Sequence, residues 1–169
     1  MCVAMVFVNR KSGREYRSFF TDPGSRIVYL ERGNAGLASW GIRSTLEHPE
    51  LKLPVGGWAR EESIAKGTWK KYHPEEVLIP AVKFLERDWQ KKIHLFELSD
   101  RESIKGLLVR EGSLAVVYVI TIESPPELRQ IHTRWVKITE LPGGGLPDLS
   151  EIVEQLQQKK VQPENLTLW

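Results

Sequence analysis

Cysteine is almost absent from this 169-residue chain. Cys2 is the only one, so no internal disulfide can form, and a reducing compartment suits the protein. Long apolar runs are missing too, since no stretch approaches the roughly 20 residues that a membrane-spanning helix needs. The leading segment Met1 to Val8 is apolar but short, with no basic start and no small-residue cleavage site. It reads as the opening of a cytoplasmic protein, not as a signal peptide. Neither sign of charge dominates: 24 Lys and Arg against 22 Asp and Glu leave a net charge of +2, too little to announce a polyanion partner by itself. The 4 histidines show no pair at metal-ligand spacing, and His48 and His73 stand directly before proline, so no metal is expected.

What is present fits a globular domain. An apolar fraction of 41% and a charged fraction of 27% suit one domain over residues 1–169, long enough to bury a single core. Strand-like segments recur at Val3 to Val8, Arg26 to Leu30, Gly36 to Ile42, Val77 to Phe84, His94 to Leu98, Ile104 to Val109, Leu114 to Thr121 and Trp135 to Thr139. Most are rich in β-branched or aromatic residues and bounded by Gly, Pro, Asp or Ser. The run Leu114 to Thr121 is continuously apolar, which predicts a central strand buried on both faces. Helical spacing appears in Ala59 to Trp69, Pro125 to Ile131 and Leu149 to Lys160. In the last, Asp148 and Glu151 make a capping box, and Lys159 and Lys160 suit the negative end of the helix dipole. Pro142 to Pro147 is a glycine-rich connector and no phosphate loop, because no strand precedes it and no lysine follows. The expectation is an α+β fold, a mixed and mostly antiparallel sheet or barrel-like core with a few peripheral helices.

Several residues offer chemistry. If Met1 is removed, Cys2 carries an α-amine and a thiol on adjacent carbons, with ordinary pKa values of about 7.7 to 8.0 and about 8.5. An aldehyde would form a Schiff base with the amine, and the thiol would then close a thiazolidine ring. The structural alternative is a small buried residue opening the first strand. Glu86 ends the run Val77-Leu-Ile-Pro-Ala-Val-Lys-Phe-Leu-Glu86, which Pro80 interrupts. That proline predicts an edge or a bulge able to aim a side chain into a cleft. The other reading of Glu86 is a surface acid paired with Lys83 or Arg87. His132 follows the central strand and suits proton transfer near neutral pH, or a structural role. Trp58-Ala-Arg60-Glu-Glu62 opens a predicted helix, where backbone N–H groups and Arg60 favour an anion such as phosphate. Arg10, Lys11, Arg14, Arg17, Arg26 and Arg32, interleaved with Tyr16, Phe19 and Phe20, form either a basic aromatic surface for nucleic acid or a solvated strand face.

Read in order, Met1-Cys2, Trp40-Gly41, Ala59-Arg60-x-Glu62, Leu78-Ile-Pro-Ala81-x-x-Phe84-x-Glu86, Gly106-Leu107 and Ile131-His-x-Arg134 resemble the SOS-response-associated peptidase (SRAP) family. The resemblance covers Met1 to about Thr139, leaving residues 140–169 as a connector and C-terminal helix. It implies covalent capture of abasic-site aldehydes in single-stranded DNA through Cys2, as a stable thiazolidine crosslink, with self-trimming of whatever precedes the cysteine. It also implies that Glu86 and His132 serve proton transfer, that Arg60 and Arg134 hold phosphates, and that Trp40 stands near the site. Abasic single-stranded DNA is then the partner, with no cofactor, no metal, no membrane and no obligate protein partner. The chain departs from the family pattern in four places: Val3-Ala4 replaces Gly-Arg, Trp58 replaces asparagine, Arg87 replaces tryptophan, and Trp135-Val136 stands where proline is expected. Two other functions fit the same residues. One is a cysteine hydrolase using Cys2, His132 and Glu86, and the other is a single-stranded-DNA-binding module without covalent chemistry.

Overall fold

The computed structural model describes residues 1–156. In chain order the elements are β1 (Cys2–Val8), β2 (Glu15–Phe19), β3 (Arg26–Glu31), β4 (Asn34–Trp40), β5 (Trp58–Arg60), α1 (Glu61–Ala65), β6 (Glu75–Ile79), β7 (Lys83–Arg87), β8 (Ile93–Glu97), β9 (Glu102–Glu111), β10 (Leu114–Glu123), β11 (Arg134–Val136), β12 (Ile138–Glu140) and α2 (Ser150–Glu154). The result is a small, mostly-sheet α+β fold. β10, β4, β3, β6 and β9 pair in succession, and β9 pairs back onto β10, closing a five-stranded barrel-like sheet. β11 and β5 extend it on β10, and β12 extends it on β9. A second sheet of four strands runs β2-β1-β7-β8. Every pairing is antiparallel except those of β10 with β4 and β5.

Tight turns set the hairpin registers. Glu31 pairs Asn34 across Arg32-Gly33, whose φ values of 50° and 84° match the twist of the flanking strands. Glu111 pairs Leu114 across Gly112-Ser113, with Gly112 at φ 57°.

β10 is buried on both faces, as its unbroken apolar run predicts. Val117 and Val119 join one hydrophobic cluster, while Val116, Tyr118 and Ile120 join another. β9 divides in the same way, Ile104 and Leu108 to the first and Leu107 and Val109 to the second. The first cluster ties the sheets together, bringing Met5, Phe7 and Phe84 against Ile27, Ile79 and Val119. The second is covered by Leu53, Ile64, Trp69 and Tyr72, from the segment between β4 and β6.

Several expected boundaries shift. Val77 to Phe84 is not one bulged strand: β6 belongs to the barrel and β7 to the smaller sheet, with Pro80-Ala81 carrying the chain between them. Pro80 has no N–H, so the ladder ends there. Trp135 to Thr139 is likewise two strands, broken at Lys137, whose N–H bonds Ile120 while its carbonyl accepts from Lys105. The helix expected over Ala59 to Trp69 shrinks to α1, because Trp58, Ala59 and Arg60 pair with β10 and Gly67, at φ 83°, ends the turn. Pro125 to Ile131 holds only a 3-10 turn, Pro126–Leu128. β2 was not foreseen. It alternates exposed Glu15 and Arg17 with buried Tyr16 and Ser18, which makes part of the basic N-terminal third a solvated edge. α2 starts where Asp148 accepts the Ser150 N–H at 3.0 Å. Lys159 and Lys160 lie outside the described residues. Among those described, no helix is long and apolar enough to cross a membrane.

Candidate active site

Three strands of the smaller sheet place one polar row at the edge of the core. Cys2 of β1 is directly opposite Glu86 of β7, and Glu86 is opposite His94 of β8. Residues directly opposite in a sheet project from the same face. The neighbouring row, two residues along β7, is apolar: Met5 is opposite Phe84, and Phe84 is opposite Phe96. The two phenyl rings stack at 5.3 Å, and Trp135 packs edge-on against both. This apolar floor helps to keep Cys2 and Glu86 out of water, while His94 at the outer strand is partly exposed.

The bulge expected at Pro80 is not formed; a bulge lies instead in β1. Ala4 pairs Leu85 while Cys2 pairs Glu86, so Val3 is the extra residue. Its carbonyl is used elsewhere, accepting the Phe20 N–H at 3.1 Å. The local bend lets the Cys2 thiol donate to the Ala4 carbonyl at 3.3 Å. Cys2 is buried, and desolvation, followed by the charge of Glu86, holds its thiol well above the ordinary range. At neutral pH the resting thiol is protonated.

Glu86 is not a surface acid. It is fully buried, and apart from the Met1 ammonium, 3.1 Å from Oε2, neither carboxylate oxygen has a hydrogen-bond partner. Burial raises its pKa to about 7, against the opposing pull of that ammonium. A carboxyl poised at neutral pH beside the chain's own α-amine is equipped to give or take a proton there.

His132 lies close enough to the N-terminus to feel the Met1 ammonium, which together with the larger effect of burial lowers its pKa. Its Nδ1 accepts the Arg134 N–H at 3.1 Å, so the neutral ring carries its proton on Nε2. The ring is stacked on Trp89, centroids 5.3 Å apart and planes 7° apart.

The remaining expected residues fall in different places. Arg60 is exposed at the end of β5. The anion site expected at the following helix start is not formed as such, because α1 has only 5 residues and its first turn holds Glu61 and Glu62, the former paired with Lys137. Arg134 is committed to structure: its guanidinium grips Glu62 through bonds of 3.1 and 3.0 Å and donates to the Thr121 carbonyl at 2.7 Å. It reaches a phosphate only by releasing Glu62. Trp40 stands behind the site, inside the core. It is fully buried, its indole N–H bonded to the Gly57 carbonyl at 3.1 Å, and it offers DNA no surface. Trp58, at the divergent position, is half-buried and lies 4.6 Å from the Phe20 ring, which also contacts Trp40. Its indole N–H is buried without a partner. Since the Phe20 backbone is bonded to Val3, this aromatic trio stands beside the bulge that follows Cys2.

Two features escaped the sequence. His94 looked like a scattered histidine, yet it completes the polar row and sits 2.7 Å from Asp88 through Nε2. Trp89 was not singled out, yet it covers His132. The signal available was the Asp88-Trp89-Gln90-Lys91-Lys92 stretch, whose leading Asp marks a hairpin turn. A cleft of about 660 Å³, with Leu30, Lys105 and Leu141 in its wall, includes none of the expected site residues. No set of three or more His, Cys, Asp or Glu side chains among the described residues is placed to hold a metal ion. The chain matches no protein-family model and no curated protein.

Proposed function

We propose that the protein captures the aldehyde of an abasic site in single-stranded DNA through Cys2, once Met1 has been removed. The observation that carries this reading is Glu86, a buried carboxyl with a pKa of about 7, which pairs in register with Cys2 and reaches the chain's α-amine. Removing Met1 moves that amine onto Cys2 itself and strips away the residue that precedes the buried thiol. The amine then adds to the ring-opened aldehyde, and Glu86 protonates the departing hydroxyl, so that one water leaves and an imine forms. The thiol sulfur adds to the imine carbon, its proton passing by way of neutral His132 to the nitrogen. The product is a thiazolidine, with one water lost overall and no oxidant or reductant required. Arg60 serves the phosphates from its exposed position, while Arg134 holds Glu62 and β10 in place. The match to the SRAP pattern supports the same chemistry.

The hydrolase reading is weaker, because it needs a thiolate and the Cys2 thiol is held protonated. That same burial favours, as the second reading, a DNA-binding module without covalent chemistry.

The test is to incubate purified protein and Cys2→Ala with single-stranded DNA carrying one abasic site, then examine denaturing gels and intact mass. The expected result is a heat-stable adduct, formed only when Cys2 is present and Met1 absent, whose mass is that of protein plus DNA less one water. No adduct from protein lacking Met1 refutes the proposal.

A further inference from the structure

The turn joining β7 to β8 has a rigid frame and an unusual surface. Asp88 Oδ1 accepts the N–H groups of Gln90 and Lys92, each at 2.9 Å. The Asp88 backbone N–H bonds the Lys92 carbonyl, also at 2.9 Å. The other Asp88 oxygen is tied to His94 at 2.7 Å. These bonds hold the carboxyl below its usual range and consume the only acid in the turn. Around this frame Arg87, Lys91 and Lys92 are all exposed, three cations against one engaged carboxylate. Trp89 projects from the same turn with 66% of its surface exposed. One face of its indole lies on His132, and the rest meets water.

A rigidly presented indole is costly to leave in water, and the exposed cations argue against an apolar partner. The combination suits a single-stranded nucleic acid, whose unpaired bases stack on aromatic faces while its phosphates meet cations. A duplex would offer the phosphates but not the bases.

We infer that the β7–β8 turn is a docking site for single-stranded DNA, in which an unpaired base stacks on the open face of Trp89 and the adjoining phosphates lie on Arg87, Lys91 and Lys92. The inference rests on the proposed reading of the Cys2 site. It goes beyond it by setting the path of the strand, which crosses Trp89 on the face turned away from His132. It also relocates the nucleic-acid surface from the basic N-terminal third, part of which is the edge strand β2, to a turn that the sequence did not single out.

The experiment uses full-length Cys2→Ala, which cannot crosslink, and an unmodified fluorescein-labelled 20-nucleotide thymidine strand, with binding read by fluorescence anisotropy. Adding Trp89→Ala should weaken affinity about tenfold, a typical effect of losing one stacked base, while Trp89→Phe retains most of it. Adding Lys91→Glu with Lys92→Glu should lower the slope of log affinity against log salt by about 1.4, at roughly 0.7 per lost phosphate contact. Because Trp89 is exposed, thermal unfolding should stay within a few degrees of the parent, which separates lost docking from lost fold. Equal affinity with and without Trp89 overturns the inference. So does equal binding of duplex, tighter binding of the same-length RNA, or a change confined to self-association in gel filtration. The two proposals fail separately. An abasic adduct from native protein, with affinity indifferent to Trp89, leaves the covalent reading standing and removes this surface. Trp89-dependent binding with no adduct does the reverse.

Discussion

Glu86→Gln gives the most direct check on the physical basis of the site. The folded-state pKa of Glu86 stands at about 7 against a reference of 4.5, a gap of 2.5 (7 − 4.5). At about 1.36 kcal/mol per pH unit that is a penalty of about 3 kcal/mol for this buried side chain. Its sign follows from proton binding. Below pH 4.5 both the folded and unfolded chains hold the proton, and Glu86 costs nothing. Between pH 4.5 and 7 the unfolded chain ionises while the folded chain keeps its proton, so stability falls as pH rises. Above 7 the folded carboxyl ionises as well, and the loss levels off. Glutamine does not titrate. The variant should therefore gain on the native protein by about 3 kcal/mol across that window, which for a chain of this size is roughly 6–12 °C in Tm. Thermal unfolding of both proteins from pH 4 to 8 reads the difference. Glu62, Asp88 and Asp148 are shifted the opposite way and favour the fold as pH rises, but they are common to both proteins and cancel. A separation between the two Tm curves that stays constant with pH would refute the argument.

Three further outcomes follow from the same geometry. Cys2 should react with iodoacetamide far more slowly in the native protein than in the unfolded chain, and Glu86→Gln should speed it only several-fold, since burial outranks the Glu86 charge; rates at pH 8 by mass spectrometry decide, and an equal native and unfolded rate contradicts the burial. Gly41→Ala should cost more than about 3 kcal/mol, because φ is 59° and the new Cβ would sit 2.1 Å from the Gly56 carbonyl oxygen, whereas Gly112→Ala, at φ 57° in open space, should cost only about 1–2 kcal/mol. Urea titration compares them, and equal costs would show that the Gly41 clash is relieved. Trp40→Ala should lose about 3–5 kcal/mol as a core deletion, with no loss of DNA affinity at temperatures where the variant remains folded.

Periodicity along single strands was legible in the sequence. The unbroken run of β10 and its burial on both faces follow from composition alone, and a mostly antiparallel, barrel-like core follows from many short β-branched segments. Pairing between strands was not. Pro80 correctly marked a break, but whether the chain bulged within one strand or crossed to another sheet depended on partners far away in sequence. The same is true of β2, whose alternation of charged and buried residues reads equally well as a nucleic-acid surface until Tyr16 is seen opposite Phe7. α1 was overextended because helical spacing over Ala59 to Trp69 says nothing of the parallel partner that β10 offers to Trp58, Ala59 and Arg60.

The candidate site shows the same division. Cys2, Glu86 and His132 were each visible as residue types, and their order along the chain carried the resemblance. What order cannot state is function within the group. Arg134, assigned to a phosphate, spends its donors on Glu62 and Thr121, and Trp40 is sealed in the core. In their place stand residues that no motif contains. His94 enters because a strand register sets it opposite Glu86, and Trp89 because an Asp-led turn lifts it onto His132. Each lies on the hairpin that follows Glu86, a segment that no motif reached. Arg87 ends β7, and the nearest exposed indole, that of Trp89, is two residues on and stacked on His132.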